Sequence, residues 1–478
     1  MSRINTNVAS LTAQLGLSKN QQTLNTTLQR LSSGLRINSG ADDPAGLIAS
    51  ESLKSEISGI NQAVTNSTRA GNVLATAEGA LNEVSSLLLS IKGLVVASAN
   101  SGALSPAEIA ANQLEVDSAV QSITRIANTT TFDGLNLING SLDYITSGVS
   151  ASAIASVSIA QASFGTGTTI PVQVNVLTSA QTAGLQFQAS AIGSSVTLQI
   201  AGDAGVQTLT FTSGTKASAI AFAVNSISDS TGVTAGLITS GVPTSGIVFH
   251  STGYGSKSFV SVTAQSGAAF ATVDGTGGAT TRTVGRDAVA TVNGAVVTGD
   301  GLNLDVNTGS LDMNLTLSKK FGTGLTTFAI TGGGALFQLG AIVNSNQQVN
   351  LGIGSVAASQ LGDSDSGYLN QIVTGGNSSL VGGQASGAEA IVEAAISQVS
   401  VLRGRIGAFE ENTLNTNVDS LNVALENVTA SESSIADANF AQETANLTRA
   451  QILVQAGTSV LSTANSTPQS VLTLLQGH

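Results

Sequence analysis

The sequence predicts an α+β multidomain chain in which both termini build a long, antiparallel, coiled-coil-like helical rod around a β-rich insertion in the middle. Two observations carry this. All 13 Glu lie at or before Glu115 or at or after Glu389, and the long middle has none; Glu favours helix, whereas the Thr, Val and Gly that replace it there do not. Apolar residues step by threes and fours at both ends and alternate in the middle, the periods of packed helices and half-buried strands. A length of 478 residues allows two to four domains with independent cores.

Near the start, Ile4, Val8, Leu11 and Leu15 follow one seam, and Leu24, Leu28, Leu31 and Leu35 resume it out of phase, as a stutter would. The stretch "LSSGLRINSGADDPAGLIAS" (31–50) then reads as a corner. Gly40 ends the first helix, Asp43, next to Asp42, caps the second, and Pro44 suits its first turn. Beyond it Leu74, Ala77, Leu81, Val84, Leu88, Ile91 and Val95 step 3, 4, 3, 4, 3, 4, the seam of a helix packed lengthwise on another. If residues 47–100 are one helix, it is about 80 Å long.

A third stripe, Ile109, Val116, Val120, Ile123 and Ala127, follows Ser105-Pro106, an N-cap with Pro in the first helical position. Far away Leu414, Val418, Leu421, Leu425, Val428, Glu432 and Ile435 repeat the pattern, interrupted in chemistry only by Glu432. Near the end Leu447, Ile452, Leu453, Val454, Val460 and Leu461, then Val471, Leu472, Leu474 and Leu475 after Pro468, make another amphipathic segment. Chain ends tolerate polarity, so apolar faces at both ends imply surfaces covered by other chains, or by each other. Between them "VQVNV" (172–176), "VTLQI" (196–200) and "TLTFT" (208–212) alternate as strands, with "AGDAGV" as a hairpin turn. The expected division is 1–44 with 436–478 as an inner terminal-helix domain, 45–145 with 336–435 as the rod, and 146–335 as an outer insertion of one or two subdomains.

No motif assembles a catalytic or metal centre. For calcium, "NSGADDPAG" lacks further oxygen ligands at alternating positions, and adjacent carboxylates do not flank a glycosidic bond. His250 and His478 are the only His, without the paired spacing of a metalloprotease helix. "GYGSKS" (253–258) misses the phosphate-loop spacing. Arg403 and Arg405 could bind phosphate, yet two exposed arginines on a helix more often make ion pairs. Without Cys there is no disulfide or thiolate chemistry. A net charge of −12, with charged residues only 10% of the chain and no basic cluster, argues against nucleic acid and for protein partners. No cleaved signal and no membrane insertion are expected, because the apolar runs are interrupted, as by Lys92 and Gly93 in "LLLSIKGLVVA" (87–97).

Several long motifs then resemble, in order, the terminal signatures of bacterial flagellin: "INTNVASLTAQ" (4–14), "LSSGLRINSGADDPAGLIASE" (31–51), "FDGLNLING" (132–140) and "LTRAQILVQAGTSVLSTANSTPQSVLTLL" (447–475). "FQLGAIVNSNQQVNLGIGSVAASQLG" (337–362) is similar to a stretch preceding the C-terminal rod helix of flagellins, and "TLTFTSGTKASAIAFAVNSISDSTGVTA" (208–235) to an insert of some flagellins and hook-associated proteins. The resemblance covers roughly 1–140 and 385–478. It implies a non-enzymatic, cofactor-free subunit that polymerises with itself into a hollow filament for swimming. The termini would line the channel, the rod surround them and the insertion face outward.

The resemblance also implies type III flagellar export to the extracellular flagellum, with the flagellar export chaperone, filament cap and hook-associated proteins as further partners. Where many flagellins carry an Arg, and a Glu three residues later, in the segment recognised by the Toll-like innate receptor, this chain has Ser90 and Gly93, which implies weak recognition. The competing readings are a hook-filament junction protein and a surface adhesin or enzyme acting through residues 145–335.

Overall fold

The computed structural model describes residues 6–165, 167–242, 244–267 and 270–477. Its helices are α1 (Val8–Ser33), α2 (Pro44–Ala99), α3 (Pro106–Thr129), α4 (Ala217–Asn225), α5 (Ser228–Thr231), α6 (Ala385–Phe409), α7 (Thr416–Ala436) and α8 (Phe440–Gln476), with the strands lying between α3 and α6. Two compact units result: Met1–Thr68 with Leu339–Val343 and Leu414–His478, and Arg69–Gln338 with Asn344–Thr413.

In the first unit α1 and α8 run antiparallel. Asn7, the N-cap of α1, donates to the Ala464 carbonyl at 2.8 Å, and Asn20 donates to the Leu453 carbonyl at 3.3 Å. The first helix ends at Gly34, in the left-handed conformation (φ 76°), with its N–H on the Arg30 carbonyl, and not at Gly40 as expected. Lacking a Cβ, Gly34 takes that conformation at little cost. The chain then turns extended, Leu35 bridging to Asp437 and the Arg36 N–H reaching the Ala436 carbonyl at 2.7 Å.

The two aspartates close the corner. Asp42 accepts hydrogen bonds from the Ser39 N–H and hydroxyl, both at 2.9 Å, and from the Asn38 N–H at 3.2 Å. Asp43 accepts from the Gly46 N–H at 2.9 Å, an N-cap bond at the start of α2. Arg30 ties this corner to α8, lying 3.9 Å from Asp42 and 3.6 Å from the buried Glu443. Along α2 and α7, the Ser50 hydroxyl donates to Glu432 at 2.9 Å, so the one acidic residue in that apolar stripe has its partner. Asn417 donates to Ser67 at 3.2 Å and to the Leu339 carbonyl at 2.9 Å.

In the second unit Leu74, Leu81, Val84, Leu88, Ile91 and Val95 of α2, and Val116, Val120 and Ile123 of α3, are buried. Three polar contacts fix the helix directions as antiparallel: Asn112 to Ser98 at 3.0 Å, Lys92 to Glu393 at 2.7 Å and Arg403 to Glu78 at 3.2 Å. Ser105 and Glu108 form a reciprocal capping box at the start of α3. Contrary to the expectation that Lys92 and Gly93 interrupt it, α2 is long and apolar enough by composition to cross a membrane. Within that apolar stretch Leu81, Val84, Leu88, Ile91 and Val95 turn inward to the core, while Leu89 and Val96 are exposed.

Gln113 stands where α3 would carry an apolar residue, between Ile109 and Val116, and it is buried. Its amide nitrogen donates to Asp117 at 2.8 Å and to the Ile372 carbonyl at 2.9 Å, and its oxygen accepts the Leu380 N–H at 2.7 Å. It clamps the loop before α6. Arg403 and Arg405, expected to be exposed, are instead half-buried, and burial lowers the pKa of Arg405 against the opposing pull of Asp312 and Asp143.

The β-rich region contains two cores, one nested in the other. The first module packs a five-stranded sheet, in the order Ala295–Thr298, Val289–Val292, Ile170–Thr178, Gly324–Gly333, Tyr144–Ser147, with the three strands Asn303–Asn307, Leu311–Leu317 and Ile154–Ala162. Its first hairpin turns through Asn293 and Gly294, both at positive φ (48° and 87°), the backbone of a two-residue turn matched to strand twist. Between Ile170–Thr178 and Val289–Val292 the chain leaves to build the second module. Thr182–Phe187, Ile247–Tyr254 and Val233–Leu237 form one sheet, and Arg282–Val284, Phe259–Gly267, Val196–Ala201 and Val206–Phe211 another. Leu185, Leu198, Ile220 of α4, Phe249 and Val262 fill its core. Asp287 ties the modules, accepting from the Ser256 and Gly301 N–H groups at 2.9 Å each.

Replacing Gln113 by Leu would leave the Leu380 N–H and the Ile372 carbonyl without their side-chain partner. This is expected to cost about 2–4 kcal/mol, read by urea unfolding of the full chain; an unchanged midpoint and slope would contradict it. The carboxyl of Asp42 is held below its ordinary value of 3.8, first by the Ser39 hydroxyl and then by the Ser39 N–H. A lowered carboxylate contributes stability above its unfolded pKa and loses it as pH falls through the folded value. Hydrogen exchange at Asn38 and Ser39 is therefore expected to quicken below about pH 4 beyond the intrinsic pH effect, and Asp42→Asn to abolish that extra component.

Candidate assembly surface

The surface grows out of how α1 and α8 meet. Facing each other across the pair are Ala13, Leu17, Asn20, Leu24, Thr27 and Leu31 on one side and Leu447, Ala450, Val454, Gly457, Leu461 and Ala464 on the other, all half-buried or buried. The seam keeps a 3–4 spacing, and half of its members, Ala13, Asn20, Thr27, Ala450, Gly457 and Ala464, are small or polar. A Cβ on Gly457 would stand 3.2 Å from Leu17 Cδ1, so the helices approach closely there. Ser10 donates to the Asn465 side-chain oxygen at 2.7 Å.

Other large apolar residues lie outside the seam. Val8, Leu11, Leu15 and Leu28 on α1, and Ile452, Leu453 and Val460 on α8, are between 45% and 63% exposed. Apolar side chains grouped in this way on an extended helix pair mark a surface that is covered by something else. The two runs expected to be one stuttered seam are instead divided between two faces of one unbroken helix. Leu24 and Leu31 turn to α8, while Val8, Leu11 and Leu15 turn away. Leu35 lies past the helix end, drawn into its bridge with Asp437.

Ile4 lies outside the described residues, as do the side chains of Val471, Leu472, Leu474 and Leu475. In the first unit Leu414 is buried and Val418, Leu421, Leu425 and Val428 are half-buried. On α2 Ser90 and Gly93 are exposed. Gly40 sits in the turn with Asp42, Asp43 and Pro44, whose polar atoms go to capping. His250 is exposed on its strand, and among the described residues no three His, Cys, Asp or Glu gather to hold a metal. Gly34 and Gln113 escaped the sequence reading. "SSGLR" carries a helix stop as good as the later glycine, and a polar residue midway across the seven-residue gap from Ile109 to Val116 marks a satisfied core position.

Comparison with known proteins gives this surface its context. Residues 4–143 match the bacterial flagellin N-terminal helical region, and residues 390–475 match the bacterial flagellin C-terminal helical region. The chain is 32% identical to a B-type flagellin of Pseudomonas aeruginosa and 31% identical to a flagellin of Salmonella rubislaw, over 99% of each chain in both cases. Among solved structures it is similar to a flagellar hook-associated protein-3 of Legionella pneumophila, at 12% identity over 80% of this chain and 98% of that one, with a TM-score of 0.32. The D2-D3 domains of the flagellar cap protein of Escherichia coli match over 39% of this chain and 98% of theirs, at 20% identity and a TM-score of 0.29. With full-length relatives above 30% identity and helical ends matching both terminal regions, the chain belongs to the bacterial flagellin family, the structural subunits of the flagellar filament.

Proposed function

We propose that this flagellin polymerises with itself by burying the outward stripes of α1 and α8, Val8, Leu11 and Leu15 with Ile452, Leu453 and Val460, against other copies. The observation that supports it is the mismatch between the two sides of that helix pair. Half of the seam inside the chain is small or polar, while Val8, Leu11, Leu15, Ile452, Leu453 and Val460 face out. Burial of such a stripe is worth about 25 cal/mol for each Å² removed from water, and a polymer removes it from every copy.

In this reading residues 1–44 and 436–478 form the filament core, 45–145 and 336–435 the surrounding rod, and 146–335 the outer face. No catalytic role is assigned to any residue, in keeping with a structural family. The chain reaches the extracellular flagellum through the flagellar export apparatus, meeting an export chaperone inside the cell and the cap and hook-associated proteins at the filament's end.

Replacing Leu11 and Leu15 together by Asp is expected to leave a folded chain with the parent's helical circular dichroism that forms no filaments by electron microscopy. Filaments of normal length from that variant would contradict the assignment. With Ser90 and Gly93 exposed where an Arg and a Glu would stand, the protein is expected to stimulate a Toll-like-receptor reporter cell at least tenfold less than an Arg-bearing flagellin, since a lost guanidinium anchor costs about 1.4 kcal/mol or more. A response of equal strength would sink this reading.

A further inference from the structure

The stripe of apolar residues along α6 and α7 is regular except at one place. Ala395, Val399, Leu402, Ile406 and Phe409 step by fours and threes, as do Leu414, Val418, Leu421, Leu425 and Val428. Between Phe409 and Leu414 the step is five. On a regular α-helix of 3.6 residues per turn, five residues carry a side chain about 140° beyond one full turn. One half of the stripe would then face away from its core.

Yet Phe409 and Leu414 are both buried. Between the two helices, Glu410–Asn415 forms a π-helical turn, whose i→i+5 bonding takes one more residue than an α-turn. The Phe409 ring lies 6.1 Å from that of Phe337, centre to centre. Glu410, Glu411, Asn412 and Thr413 are polar, and none of them is buried. The stripe of α2 contains no such interruption, stepping by threes and fours from Ile60 through Ala63, Ser67, Ala70 and Leu74 to Val95.

We propose that this π-turn is a register lock: it absorbs a single supernumerary residue between Phe409 and Leu414, so that one helical segment presents its apolar stripe inward on both sides of the insertion. The extra residue itself contributes no packing. Removing it converts the turn to regular α-helix with every buried contact kept. Removing one residue elsewhere rotates the rest of the stripe by about 100°.

The test compares two single-residue deletions in the full chain, of Asn412 inside the turn and of the exposed Asn422 in the middle of α7, by thermal unfolding followed by circular dichroism at a concentration where the chain is monomeric. Deleting Asn412 is expected to leave Tm unchanged within about 2 °C or to raise it, whereas deleting Asn422 lowers it by about 5 °C or more. Amide exchange across residues 408–416 is expected to slow in the first variant, as regular helical bonds replace the wider turn. Equal losses of Tm for the two deletions, failure of the Asn412 deletion to fold, or no effect from either would each overturn the lock.

Discussion

The helical part of the molecule depends on one constraint, a stripe of side chains a single residue wide that must stay pointed inward over the whole of α2. From Leu74 to Val95 its members are almost completely buried. So narrow a stripe leaves little room for error, because a one-residue slip turns every member by about 100°. That explains how polar residues within or beside it are treated. Glu432 is held by Ser50, Gln113 has three partners, and Ser67 receives a hydrogen bond from Asn417. A polar side chain left unpaired at such a position would cost more than it could return.

The terminal pair obeys the same spacing with weaker chemistry. Alanine and glycine among the leucines of the seam let α1 and α8 approach closely, and Arg30 and Glu443 register the far end of the pair. Val8, Leu11, Leu15, Ile452, Leu453 and Val460 stay exposed beside that seam. The β modules follow a different logic, since each encloses its own core of alternating residues from two sheets. Either module can therefore vary its exposed face without disturbing a stripe. In the proposed filament this separation stabilises the parts that would match every neighbour independently of the β modules.

Much of this was readable in the sequence because it rests on short-range periodicity. The stripes of α2 and α3, the cap at Ser105 and the alternating strands all follow from spacings of two, three and four. What was not readable depends on distant partners. The first helix stops at Gly34 and not Gly40 because the following residues pair with Ala436 and Asp437, some 400 positions away. The leucine runs of α1 looked like one broken seam, since nothing in the run itself says that half of it faces α8. Gln113 was passed over because its partners, Ile372 and Leu380, lie in a loop without periodicity. The nesting of one β module in the other follows from Ile170–Thr178 pairing with both Gly324–Gly333 and Val289–Val292, which no local pattern announces.

On the proposed assembly, the helix pair at the termini is incomplete until other copies cover it. The most direct measurement is to dissociate the purified full chain with acid or mild heat, return it to neutral pH with short filament seeds, and image the product by electron microscopy. Long tubular filaments growing from the seeds are the predicted result. Folded monomers that persist at high concentration in the presence of seeds would contradict it.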